Sequence, residues 1–174
     1  MKITAPEEYG VRCLLQLARS ADPCGLTIQQ VADAENISFA YAAKLLRLLR
    51  LAGLITSRRN GLPGGGYLLA RPAAEVRLGE VMRALSEPLF EEPSYCERHA
   101  GPDTEGACVH NNGCTLRVIW QTLEQWMRHF LDRVTLADLL ESQGQITERL
   151  HAHLQAETLE LSGDLLTLGS AERD

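Results

Sequence analysis

The sequence predicts a mainly α protein: a winged helix-turn-helix domain followed by one long helix. Three observations carry that reading. Apolar residues recur at helical spacing through the first 50 residues, "LITSRRNGLPGGGYLLA" (54–70) then reads as a strand, a glycine-rich turn and a returning strand, and residues 115–134 carry an apolar stripe too wide for a solitary helix.

In "EEYGVRCLLQLA" (7–18), Val11, Leu14, Leu15 and Leu17 fall near one helical face. Glu7 and Glu8 lie in the opening turn, where the helix dipole favours negative charge. Cys13 lies on the same apolar face and reads as core. "SADPCG" breaks the helix and places Cys24 in an exposed turn. A second, short helix follows in "LTIQQVADAEN", with Thr27 as N-cap and Gln30 three residues on in a capping-box pattern. "ISFAYAAKLLRLLRLAG" makes the third, capped by Ser38, burying Ala42, Leu45, Leu46 and Leu49, and closed at Gly53. The hairpin after it forms a wing, with Leu54–Ser57 and Tyr67–Leu69 as its strands. "EVRLGEVMRALSEP" supplies a further short helix that Pro88 stops.

These elements set out four segments: a winged helix-turn-helix over 1–88, a cysteine-containing loop over 89–115, a long helix over 116–141 and a partly helical or disordered tail over 142–174. In the long helix Leu116, Ile119, Trp120, Leu123, Trp126, Met127, Phe130 and Val134 recur on one side. That face must be buried against its own domain or a second copy.

Charge is unevenly distributed. The chain has 174 residues and a formal net charge of -6, yet residues 1–85 hold 11 Lys and Arg against 7 Asp and Glu. Lys44, Arg47, Arg50, Arg58, Arg59 and Arg71 follow one another with no acidic residue between 44 and 71. A helix-turn-helix places the start of its second helix against base edges in the major groove while a basic wing reaches phosphates or the minor groove. Ser38, Tyr41 and Lys44 stand at that helix start and Arg58 and Arg59 lead into the wing, so double-stranded DNA is the expected partner. The plainer alternative is a winged helix used for protein contacts, its arginines a solvated face. Glycines 64–66 are not followed by the Lys-Ser or Lys-Thr of a phosphate loop and read as hairpin.

Cys96, Cys108 and Cys114 form the pattern C-x11-C-x5-C, and the chain has 5 cysteines in all. The sequence has neither the apolar stretch of a signal peptide nor 18 uncharged apolar residues in a row, so a reducing cytoplasm without membrane attachment is expected, and metal or cluster ligation is favoured over disulfides. Thiolates suit zinc or an iron-sulfur cluster, and both usually take a fourth ligand, for which His99, His110 and a carboxylate such as Glu8 are candidates. No nucleotide-binding fingerprint or catalytic dyad is present, so an enzyme is not expected. A zinc-stabilised DNA-binding protein without sensing and a cluster-bearing electron-transfer protein are the rival readings.

The opening "MKIT..EYGVRCLLQLA", the run from "ISFAYAAKLLRLLR" through "GGGYLLARPAAEVRLGEVMRAL", and "CVHNNGCTLRVIWQTLEQWMRHFLDRVTLADLL" together resemble the BadM/Rrf-type winged-helix transcriptional regulators, a group with IscR-like and NsrR-like iron-sulfur proteins. The resemblance covers residues 1 to about 140. It implies a homodimer built on the long helix, two heads reading a two-fold-related operator, and a 2Fe-2S or 4Fe-4S cluster held by residues matching Cys96, Cys108 and Cys114. It also implies a transcription factor, most often a repressor, whose operator affinity follows redox, nitric oxide, iron or cluster status. One branch takes its fourth ligand from a histidine three residues after the last cysteine, where this chain has Arg117. Another takes it from an acidic residue at the start of the first helix of the other subunit, and Glu8 stands there. The first cysteine interval is longer here than in most such regulators.

Overall fold

The structure is a computed structural model and describes residues 3–58, 65–87, 114–152 and 155. Arg59, Cys96, His99, Cys108 and His110 lie outside the described residues, as do Pro88 and most of the wing tip. Residues up to Ala137 form one compact unit and residues from Asp138 a second.

Helix α1 spans Ala5–Arg19 and is started by a capping box. The Thr4 N–H and hydroxyl both donate to Glu7 Oε2, at 2.5 and 2.7 Å, and Glu8 N–H donates to the Thr4 carbonyl. Helix α2, Ile28–Glu35, opens on the expected Thr27–Gln30 box, with Gln30 N–H donating to Thr27 Oγ1 at 3.2 Å and Thr27 N–H to Gln30 Oε1 at 2.8 Å. It ends on Asn36 at φ 52°, a left-handed conformation that Asn tolerates better than most residues. Helix α3, Phe39–Leu51, is capped by Ser38, whose hydroxyl accepts from Tyr41 N–H at 3.2 Å. Gly53 at φ 73° then closes it.

Strands β1 (Ile55–Ser57) and β2 (Tyr67–Leu69) pair antiparallel, Thr56 opposite Leu68. The base of the wing has a third member that periodicity did not announce: Leu26 and Tyr67 exchange N–H···O bonds of 3.0 and 2.7 Å. Gly25 and Gly66 permit this approach, because a Cβ on Gly66 would run into the backbone of Cys24 and Gly25, and one on Gly25 into that of Tyr67.

The core of this unit joins Cys13, Leu14 and Leu17 of α1 to Val31 and Ala32 of α2, Ala42, Leu45, Leu46 and Leu49 of α3, and Leu54, Ile55, Val76 and Val81 beyond. Each large side chain buried in this way is worth roughly 1.5–3 kcal/mol. Helix α4, Leu78–Leu85, closes the head against α1, where Gly10 leaves room for Leu85.

Helix α5 runs Thr115–Arg133 and so stops short of residue 141. The chain leaves it because backbone bonding is available elsewhere: Leu78 N–H donates to the Val134 carbonyl at 2.8 Å and Leu136 N–H to that of Val76 at 2.9 Å, while Val134 and Leu136 enter the core. Gly79 lies so close to Asp132 that a Cβ would collide with its carboxylate, and Arg83 donates to both oxygens of that carboxylate at 3.2 and 3.1 Å. The end of the long helix is thereby fixed to the head at three points.

In the second unit, Asp138–Leu140 form a 3-10 turn and residues 143–152 a helix, with Arg149 paired to Asp138 and Glu141. No helix among the described residues is long and apolar enough to cross a membrane.

Candidate nucleic-acid interface and cysteine site

The two faces of α3 differ in chemistry. Ala42, Leu45, Leu46 and Leu49 are buried, while Phe39, Ala40, Lys44, Arg47 and Arg50 are exposed. The outward face therefore carries three cations and no acid. Lys44 stands one turn beyond the helix start, on this exposed face.

Ser38 and Tyr41 are committed more than their position in sequence suggests. Ser38 is exposed, and its hydroxyl oxygen holds the first turn of α3. Tyr41 is half-buried with its ring edge-on to Tyr9 of α1, centroids 5.9 Å apart, and burial pushes its phenol up, so it stays neutral. Arg12 in turn sits over the Tyr9 ring at 5.0 Å and donates from Nε to Glu35 Oε2 at 2.5 Å. Glu35 is buried and also accepts from Gln16 Nε2 at 2.6 Å. This ties α1 at once to the end of α2 and the start of α3. Glu35 was legible only as a helix-ending acid, since its partners lie 19 and 23 residues away.

On the wing, Arg58 is exposed and one of its terminal nitrogens donates to the Pro23 carbonyl at 3.0 Å, pinning the wing base to the α1–α2 turn. Arg71, part of the same basic stretch, is turned inward: it pairs with Glu80 and donates to the Glu75 carbonyl at 3.1 Å. On α3 and the described part of the wing, the exposed cations are therefore Lys44, Arg47, Arg50 and Arg58.

Of the three clustered cysteines, Cys114 is described. It is half-buried and stands as the residue before Thr115, at the N-terminal end of α5, where unsatisfied N–H groups favour an anionic neighbour. Glu8 is exposed on the first turn of α1. Among the described residues no three His, Cys, Asp or Glu side chains gather into a metal-binding group, so Cys114 and Glu8 are not assembled into a site by the residues described. Cys13 lies in the core, as its place on the apolar face of α1 suggests, and burial there pushes its thiol up to about 12 and keeps it protonated. Cys24 is exposed in its turn, as expected.

A family model, Rrf2, described as iron-dependent transcriptional regulator, matches residues 3–142. The HTH-type transcriptional regulator IscR of Citrobacter koseri is 28% identical over 155 residues, 88% of this chain and 89% of its own. Among solved structures, T. potens IscR superposes with a TM-score of 0.60 at 26% identity, over 80% of this chain and 86% of its own. Staphylococcus aureus CymR does so with a TM-score of 0.57 at 26% identity, over 80% and 98%.

Proposed function

Because the chain belongs to the Rrf2 family of transcriptional regulators, a DNA-binding regulator and not an enzyme, we propose that it is a dimeric repressor whose operator affinity is set by an iron-sulfur cluster. The observation that carries the DNA half of this reading is the outward face of α3, three cations and no acid on a winged-helix head. Lys44, Arg58 and Arg59 contact phosphates or the minor groove, and Ser38 and Tyr41 hold the start of α3 against base edges.

Cys96, Cys108 and Cys114 would hold the cluster, with Glu8 of the second copy as fourth ligand ahead of His110 or His99. The donor chemistry fits: three thiols of one segment, the last at a helix N-terminus, and an exposed carboxylate. When bound, the cluster supplies a redox- and ligand-sensitive centre. What the protein's own residues contribute is transmission. Glu8 adjoins Tyr9, which touches Tyr41 of α3, and Cys114 begins α5, whose far end is bonded to the head. A difference of about 1–3 kcal/mol in DNA affinity between the two cluster states gives a 5- to 150-fold response.

Two copies are supported by the uncovered apolar side of α5. Leu116, Ile119 and Trp126 are exposed in the single chain, and an operator with two-fold symmetry matches a two-fold protein.

The test is an absorption spectrum with iron, sulfide and zinc analysis on tag-free protein purified without oxygen, beside Cys96→Ala, Cys108→Ala and Cys114→Ala. Visible bands that vanish in all three variants establish the cluster. A colourless protein that stays colourless on reconstitution sinks it, and stoichiometric zinc would replace it with a structural site. Arg59→Ala should weaken duplex binding and flatten its salt dependence; unchanged affinity and slope would remove Arg59 from the interface.

A further inference from the structure

The start of α3 is oddly composed for a helix tip that reads bases. Phe39 is a large apolar side chain left 53% exposed on its first turn. Ala40 beside it is exposed, and Ala43, one turn on, is half-buried on the same side. Neither of the neighbouring polar residues is fully at liberty: the Ser38 hydroxyl oxygen accepts the Tyr41 N–H, and the Tyr41 ring is packed on Tyr9. The side chains that project from the tip therefore include three with no hydrogen-bonding group at all.

The same outward face continues into Lys44, Arg47 and Arg50, so what docks on it is a polyanion. In a duplex, the apolar group that the major groove presents is the C5-methyl of thymine, and alanine and phenylalanine side chains are suited to it. From this juxtaposition we infer that Phe39, with Ala40, is a specificity-determining residue that reads thymine methyl groups in each operator half-site. Base choice at the helix tip then rests on apolar contact, and the cations behind it supply affinity without sequence preference. The inference rests on the DNA-binding reading above and adds to it the chemistry that is recognised.

The experiment selects sites from random double-stranded DNA with full-length protein purified without oxygen, then replaces each thymine of the selected site with deoxyuridine, which removes only the methyl group. Burying one methyl corresponds to about a fourfold change in affinity. Such a loss is expected at one or two thymines per half-site for the wild type and should vanish in Phe39→Ala. Phe39→Leu, which keeps an apolar tip, should retain part of it. The salt dependence of binding should be the same in all three proteins, because no phosphate contact is altered. Phe39 is exposed, so circular dichroism and thermal unfolding of the variants should match the wild type. Selected sites insensitive to deoxyuridine at every position, or equal discrimination by Phe39→Ala, would overturn the inference and leave DNA binding intact. Failure to enrich any sequence, together with no salt-dependent duplex binding, would overturn the DNA-binding reading itself.

Discussion

Tyr9 of α1 and Tyr41 of α3 meet edge to face, with ring centroids 5.9 Å apart and planes inclined at 77°. The contact joins the residue after the candidate ligand Glu8 to the first turn of the helix proposed to enter DNA. An aromatic pair of this geometry contributes about 1 kcal/mol beyond its buried area. It also gives a described route from the residue beside Glu8 to α3.

Tyr9→Leu should therefore do two separable things. It should lower stability by about 1 kcal/mol in denaturant unfolding, and it should narrow the difference in operator affinity between cluster-loaded and chelator-treated protein. Tyr9→Phe keeps the ring and should preserve both. A Tyr9→Leu protein with lower stability and an undiminished affinity difference would show that coupling runs elsewhere, with the bonded end of α5 as the next candidate.

Glu7 gives a pH dependence of defined sign. Burial alone would push its carboxyl up, but the Thr4 N–H, the Thr4 hydroxyl and the Ser86 hydroxyl together outweigh burial and hold it below the ordinary 4.5. A carboxyl depressed on folding adds stability that is complete above 4.5 and is lost as pH falls through the folded-state value. Thermal unfolding of Glu7→Gln should lie below the wild type at neutral pH, and the two curves should converge on acidification below 4.5. A gap that is constant with pH would mean that the capping geometry matters and the charge does not.

Much of this arrangement is written locally in the sequence. The Thr27–Gln30 box, the Ser38 cap and Gly53 lie within a few residues of what they stabilise, and the buried face of α3 follows its 3.6-residue period. What was not legible depends on partners distant in sequence. Glu35 is buried because Arg12 and Gln16 reach it from α1, Arg71 is turned inward by Glu80, and α5 ends early because Val76 and Leu78 bond to the residues after it. The exposure of Phe39 was likewise hidden, since an apolar residue at a helix start reads as core until the packing of its neighbours is known. For the cysteine site, the sequence pattern and family membership carry the reading, and Cys114 is the one clustered cysteine whose surroundings are described.

Gly66 shows how the wing is held. A Cβ there would strike backbone of Cys24 and Gly25, which cannot yield as a flexible side chain would. Gly66→Ala should cost about 1–3 kcal/mol, and the Leu26 and Tyr67 amides should exchange with solvent faster, as their mutual bonds are pushed apart. Gly53→Asn is the contrasting control: no atom lies within 4 Å of an added Cβ, and Asn tolerates its left-handed φ. Equal stability of Gly66→Ala and wild type would mean that the wing base can shift without loss.

The apolar side of α5 makes the assembly testable without DNA. Leu116 and Ile119 are exposed on the first two turns and Trp126 further along, where Trp126, Met127 and Phe130 line a groove of about 650 Å³ with Met82 and Ile3. A carboxylate set into a buried interface loses its hydration without gaining a partner, so Ile119→Glu should convert a dimer in sedimentation analysis into a monomer. Ile119 is 55% exposed in the single chain, so the circular dichroism of the variant should be unchanged. Binding to a two-fold operator should weaken by roughly 100-fold or more, since each head then binds without its tethered neighbour, while affinity for an isolated half-site should stay the same. A variant that remains dimeric would place the interface away from the first turns of α5, and wild-type protein that sediments as a monomer would leave this apolar side exposed in solution.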